Sequence, residues 1–216
     1  MEKKEIFELY KRIVLEENEK MNLTAITEDG AFNEKHFYDS LLPTEVVNFN
    51  NKKVLDIGSG AGFPGIPLAI TYENASFTLL ETTNKKCNFL RDTIEKLGLK
   101  NTNVLEKRAE DILNEEREQF DIVVSRAVSD LPILLELSIP YLKVGGILIA
   151  YKGEKYKDEI SRCRNAFKTL SCKVLKVQER ELPISKEKRF NIIVIKEEKT
   201  DKKFPRNFSQ IKKRPL

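Results

Sequence analysis

The stretch Val54-Leu55-Asp56-Ile57-Gly58-Ser59-Gly60-Ala61-Gly62-Phe63-Pro64-Gly65 constrains this chain more than any other. An apolar run that reads as a buried strand enters four glycines and then a helix start. Glycine admits positive φ and removes the side chains that would hold a ligand away from the backbone. A helix N-terminus beyond the loop presents unpaired N–H groups. A nucleotide-like ligand is held in this way at the carboxyl end of a first β-strand.

A second signal comes one strand later. Ser76-Phe77-Thr78-Leu79-Leu80-Glu81 reads as the next strand, and its terminal acid, Glu81, lies 19 residues after Gly62. An acid at that distance is placed to accept from ribose hydroxyls. Gly60-Ala61-Gly62-Phe63-Pro64-Gly65 also matches G-x-G-x-x-G, the dinucleotide fingerprint. Asp56 argues against a dinucleotide. At the expected mouth of the loop, a carboxylate repels a pyrophosphate and attracts a sulfonium or an ammonium. Asp56-x-Gly58-x-Gly60-x-Gly62 has the spacing of S-adenosylmethionine (SAM) methyltransferases, and SAM is the expected cofactor. The plainer role for Asp56 is a loop cap bonded to its own backbone, and one residue can do both.

A chain of 216 residues, 40% apolar, suits one α/β unit. The expected organisation is a helical extension over 1–50, a SAM-binding core over 51–196 and a basic tail over 197–216. No apolar run approaches the roughly 18–20 residues of a membrane span, and no membrane partner is expected. The charged start Met1-Glu2-Lys3-Lys4-Glu5 does not read as a signal peptide. Cys87, Cys163 and Cys172 show no C-x-x-C spacing and read as free thiols of a reducing cytosol. With a single histidine, no metal site is expected. The net charge of +4 is concentrated at the end, with eight Lys or Arg against three acids from Lys196 to Leu216. Arg206, Lys212, Lys213 and Arg214 suit a polyanionic partner or, equally, a solvated terminus. If a partner binds there, the tail is expected to add affinity without touching the cofactor.

Apolar residues at helical spacing predict a helix over 2–20 and another from Ala31 to Leu42, stopped by Pro43, with Thr27–Gly30 as a turn. Strands are expected at 53–57, 76–81, 103–106, 120–125 and 147–152. Helices are expected at 64–72, 84–97 and 132–141, and Lys143–Gly146 is read as a turn. Such alternation means a parallel sheet covered on both faces, a Rossmann-like α/β fold. After Gly153 come a charged helix and two strands, 173–179 and 190–196, expected as an antiparallel edge.

Functional residues of such a sheet gather beyond the carboxyl ends of its strands. Arg108-Ala109-Glu110-Asp111, Ser125-Arg126-Ala127 and Tyr151-Lys152-Gly153 fall there. Glu110 and Asp111 suit an adenine amino group, or a helix N-cap. Arg126 suits the side facing the methyl acceptor, or a structural ion pair. No Asn/Asp-Pro-Pro-aromatic motif and no cysteine follow the fourth strand, and no general base is evident. A ring nitrogen with a free lone pair, such as guanine N7, needs none. Catalysis is then positioning and electrostatics.

The chain resembles the RsmG (GidB) family of bacterial 16S rRNA guanine-N7 methyltransferases almost end to end. The likeness lies in Met21-Asn-Leu-Thr-Ala-Ile26, His36-Phe-Tyr-Asp-Ser-Leu41, the loop through Gly-Phe-Pro-Gly-Ile-Pro67, and Leu80-Glu81 with Lys85-Lys86 and Phe89-Leu90. It continues in Arg108-Ala109-Glu110, Ser125-Arg126-Ala127 and Lys152-Gly153. The resemblance implies SAM as cofactor, 16S rRNA or the small ribosomal subunit as partner, and SAM contacts at Gly58, Phe63, Ala109, Glu110 and Arg126. The residues themselves add Gly60, Gly62 and Glu81. His36 is expected to be structural or substrate-side rather than a base. In the tail, Phe208-Ser-Gln-Ile211 replaces the Gly-Thr-Pro found in many relatives. The competing readings are a SAM enzyme for a small molecule and a SAM-binding RNA chaperone without turnover.

Overall fold

The computed structural model describes residues 2–216. Seven strands form one sheet: β1 (Lys53–Ile57), β2 (Ser76–Glu81), β3 (Thr102–Glu106), β4 (Phe120–Arg126), β5 (Leu142–Lys152), β6 (Cys172–Glu181) and β7 (Lys188–Lys196). Their order is β3-β2-β1-β4-β5-β7-β6. The first five run parallel, whereas β7 lies antiparallel to β5 and β6 antiparallel to β7. The order reverses between β1 and β4, so a crevice opens beyond their carboxyl ends.

Period-two alternation decides what each strand offers to which face. Leu55 and Ile57 of β1, Leu80 of β2 and Val123 of β4 enter one core cluster, packed under helices α4 (Leu131–Ser138), α5 (Tyr156–Ser161) and α6 (Arg164–Thr169). Val54, Phe77, Ile122, Val124 and Tyr151 face the opposite side. That side is covered by α1 (Lys3–Met21), α2 (Gly65–Thr71) and α3 (Asn84–Leu97). Tyr10, Ile13 and Val14 of α1 are buried there with Phe32, Phe37 and Phe63.

Several boundaries differ from expectation. Asp29 and Gly30 are already helical, because Glu28 caps the helix by accepting from the Gly30 and Ala31 N–H groups at 3.0 and 2.6 Å. The segment is α-helical over Asp29–Phe32, π-helical over Asn33–Tyr38 and α-helical again over Asp39–Leu41. The α-helix ends at Leu41, as expected ahead of Pro43, but the chain stays helical through Pro43 itself. The proline sits in the first turn of a 3₁₀ stretch, Leu42–Glu45, where its missing N–H costs nothing. Lys143–Gly146 is not a free turn but part of β5. The glycines are absorbed as an irregularity, with a register shift between Phe120 and Ile122. A Cβ on Gly146 would lie 3.0 Å from the Asp121 carbonyl oxygen.

The tail also departs from a solvated end. Phe204 and Ile211 are buried in the cluster under α4, and helix α7 (Phe208–Lys213) is capped by Asn207. Glu136 of α4 is fully buried, and its carboxylate accepts from Arg206 N, Nε and Nη2 at 2.9, 2.8 and 2.6 Å. A charge so enclosed needs its partner. Arg206→Ala is therefore expected to destabilise the fold by about 3–5 kcal/mol, and Glu136→Gln in that background to restore part of the loss. Urea denaturation of both variants checks this. A single mutant within about 0.5 kcal/mol of wild type, the usual range for a neutral surface change, would refute it.

Candidate active site

Beyond the carboxyl ends of β1, β2 and β3 lies a cavity of about 200 Å³, lined among others by Gly58, Glu81, Ala109, Glu110, Val128 and Phe208. Four of the expected cofactor residues thus meet in one place. Gly60, Gly62, Phe63 and Arg126 lie outside this lining, each for an identifiable reason.

The glycines play unequal parts. A Cβ on Gly58 would fall 2.4 Å from Val128 Cγ2, and one on Gly62 would fall 2.7 Å from the Tyr10 hydroxyl. Both gaps are filled by protein. At Gly60, with φ at +59°, the nearest atom would be 3.9 Å away, so that position alone opens on free space. The Gly60 N–H donates to Glu81 Oε2 at 3.0 Å, while the Thr82 and Thr83 N–H groups donate to Oε1 at 2.8 and 2.9 Å. Burial pushes the Glu81 carboxyl upward, but these three backbone donors outweigh it and leave the group below the ordinary carboxylate range. Glu81 is therefore an anion that fixes the loop, and Oε2 keeps acceptor capacity toward the cavity. A free cradle at Gly60, an ionised acid beside it and a second carboxylate at Glu110 fit the hydroxyls and amino group of an adenosyl ligand.

Asp56 is not at the mouth of the loop. It is 1% exposed, because strand alternation turns it under α2, where Oδ2 accepts from the Gly65 N–H at 2.9 Å. Its capping role is the one realised. Oδ1 has no hydrogen-bond partner, and burial pushes the carboxyl up to about 7 against the single strong backbone donor.

Arg126 shares its strand face with Ile122 and Val124 and so points toward the N-terminal segment. Nη1 donates to the Lys35 carbonyl at 2.9 Å and to Asp39 Oδ2 at 3.2 Å. Nη2 lies 3.3 Å from His36 Nδ1, and the guanidinium carbon sits 5.2 Å from the centre of the Phe63 ring. Phe63 itself stacks on His36 at 4.4 Å, inside the aromatic cluster. Since arginine only donates, His36 Nδ1 accepts, and Nε2–H donates to Thr24 Oγ1 at 2.8 Å. Burial, helped by Arg126, pushes the imidazole down to about 3, so His36 is neutral.

His36 and Arg126 line a second, open basin of about 480 Å³ with Lys35, Asp39, Tyr151, Lys152 and Arg189. Asp39 is 4% exposed, with Oδ1 only 3.5 Å from Arg189 Nε, an ion-pair distance without a hydrogen bond. Burial outweighs both guanidinium groups and pushes its carboxyl upward. Lys152 donates to the Ser129 carbonyl at 2.6 Å and pairs with Glu159 at 2.7 Å. Loop residues Ala127 and Val128 separate the two spaces, one lining each. Sequence reading missed Asp39, Arg189, Val128 and Phe208. Asp39 alone carried a signal, lying three residues after His36 on a helix and thus on the same face. Among the described residues no cluster of three or more His, Cys, Asp or Glu is placed to hold a metal, and no helix is long and apolar enough to cross a membrane.

Solved structures share this architecture at low identity. A SAM-dependent methyltransferase from Aquifex aeolicus aligns at TM-score 0.59 and 20% identity, over 77% of this chain and 94% of that one. TYW2 of M. jannaschii in complex with AdoMet aligns at TM-score 0.57 and 19% identity, over 79% and 76%. Sheet order, glycine loop and acid at the end of β2 define the class: a SAM-dependent methyltransferase with a Rossmann-like fold. Residues 3–190 match the profile of GidB, rRNA small subunit methyltransferase G. Proteins named ribosomal RNA small subunit methyltransferase G match at 46% identity in Mycoplasma capricolum, over 95% of this chain and 88% of that protein. In Clostridium perfringens the match is 44%, over 97% and 89%. The chain belongs to that family.

The buried Asp56 predicts a pH dependence. Its folded value, about 7, lies above the 3.8 of a free aspartate. The stability contributed by the bound proton is complete below about pH 4 and is lost as pH rises through 7. Asp56→Asn keeps the bond to Gly65 and removes the titration. Relative to wild type it should gain on the order of 3 kcal/mol between pH 4 and pH 8. Denaturation midpoints across that range test this, and a parallel pair of curves would rule it out.

Proposed function

We propose that the chain transfers a methyl group to N7 of a guanine in 16S rRNA, in the cytosol, with the base seated in the basin at the ends of β4, β5 and β7. The state of His36 carries this reading. The chain's only histidine is neutral, and its one lone pair faces Arg126. It is therefore unavailable as a base, which suits an acceptor atom that has no proton to lose. SAM supplies an electrophilic methyl: the N7 lone pair forms the new C–N bond as the C–S bond breaks, and the positive charge passes to the purine.

The chain's own residues bind and orient. In this reading Gly58, Gly60, Ala109 and Glu110 frame the cofactor, Glu81 accepts from its ribose, and Gly62 and Phe63 support the loop from the protein side. Asp39 Oδ1, buried and without a hydrogen bond, accepts from the amino edge of guanine. Lys35, Lys152 and Arg189 bring positive charge to the flanking phosphates. Arg126 lines the basin and fixes Asp39, His36 and the Lys35 carbonyl together. A lysine ammonium lacks the planar fork that reaches these partners at fixed angles.

Incubation with labelled methyl donor separates the alternatives. We expect label in 7-methylguanosine recovered from small subunits or their naked rRNA. Label in a small-molecule pool alone, or none at all, would favour the other two readings. Arg126→Lys should fold and lose at least tenfold in transfer. An acceptor role leaves SAM affinity within about threefold, whereas a direct cofactor contact lowers it tenfold or more, and near wild-type turnover removes Arg126 from the site.

Lys212, Lys213 and Arg214 are exposed and enter no ion pair among the described residues, unlike Arg206. We expect them to meet phosphates. Truncating the tail would confound this by uncovering Glu136, so the three are better changed together to glutamine. Each lost contact should make the log–log salt dependence of RNA binding shallower by about 0.7–0.9. An unaltered slope would mean that these cations are merely solvated.

A further inference from the structure

We infer that the C-terminal tail supplies part of the cofactor site: the ring of Phe208 is a wall against which the purine of SAM packs, and SAM binding holds the tail docked. The inference rests on reading the Glu81 cavity as the cofactor site.

Three observations carry it. Phe208 lines the same cavity as Glu81, Ala109 and Glu110, although 98 residues separate it from Glu110 in sequence. Ala109 and Glu110 offer the polar edge that an adenine amino group needs. Leu137 and Phe208 offer the apolar face. An aromatic ring beside a purine is a sequence-tolerant stacking surface, since every base has a π-face.

The cavity is also small. About 200 Å³ falls below the 300 Å³ at which ligand sites usually begin, so the ligand must displace a wall. Ile57, Leu80 and Leu137 belong to the main core and are at most 3% exposed. Phe208, half-buried on a six-residue helix, is with the exposed Val128 and Arg108 among the walls able to yield, and it alone of the three offers an aromatic face.

Finally, the tail is anchored on both sides of Phe208, and the Phe208 ring packs only in part against the core. Arg206 is locked to Glu136, and Ile211 is buried in the core. Phe208 is thus held over the cavity by its neighbours, with part of its ring left uncovered by the core. Binding that orders such an element must in turn be weakened when the element is altered.

Calorimetry with SAM on the full chain tests the contact. Phe208→Ala should weaken binding at least tenfold, while Phe208→Tyr, which keeps the ring, stays within about threefold. Glu81→Gln is measured in parallel. Wild-type affinity in a folded Phe208→Ala protein overturns the inference while the cavity assignment stands, provided Glu81→Gln is weakened. If Glu81→Gln also binds normally, the cofactor lies elsewhere and both readings fall. Should Phe208→Ala not fold, hydrogen exchange of the wild-type protein decides. Saturating SAM is expected to slow the amides of residues 208–214 about tenfold or more, and unchanged exchange there overturns the proposal.

Discussion

A parallel strand buried on both faces has no indifferent side, and this constraint organises the molecule. β1 is paired with β2 and with β4, and its residues from Val54 to Ile57 are buried. Whatever leaves the carboxyl end of these strands is already committed to one face or the other. Asp56, Arg126 and Tyr151 are sent toward the N-terminal helices. Ile57, Leu80 and Lys152 go to the face that carries α4 and the tail. Two spaces result, one on each side of the loop after β4. Two separate spaces at the switch point are a geometric consequence of strand alternation.

Electrostatics then differentiates carboxylates that look alike in sequence. Asp56 and Glu81 stand at the ends of adjacent strands, and burial opposes ionisation in both. Glu81 accepts three backbone N–H groups and is held as an anion. Asp56 accepts one from Gly65, keeps an unpaired oxygen and is pushed toward neutrality. The number of backbone donors, rather than residue type, decides which acid carries charge beside the glycine loop.

The two ends of the chain complete the sheet's work. The segment 29–45 brings Lys35, His36 and Asp39 to Arg126, and the Tyr151 hydroxyl donates to the Ser40 carbonyl at 2.7 Å to hold it there. The tail returns to α4 through Arg206, Phe204 and Ile211. A core of β-strands and crossovers thus acquires one cover at the Arg126 basin and another at the Glu81 cavity.

Read alone, the sequence determined the alternation of strand and helix, the glycine loop, the acid at position 81 and the antiparallel edge. These are local patterns of period two or 3.6 with strong punctuation, and each is written within a dozen neighbouring residues. It also carried the family resemblance, which the comparisons bear out. Only the tertiary structure decided that Asp56 is buried beneath the loop, that Gly58 and Gly62 face protein, that Arg126 meets Asp39 and His36, and that Phe208 closes the Glu81 cavity. Those pairings join residues 9 to 127 positions apart. No periodicity reports which segment folds over a strand end, because that depends on how helices far along the chain fill the space the sheet leaves open.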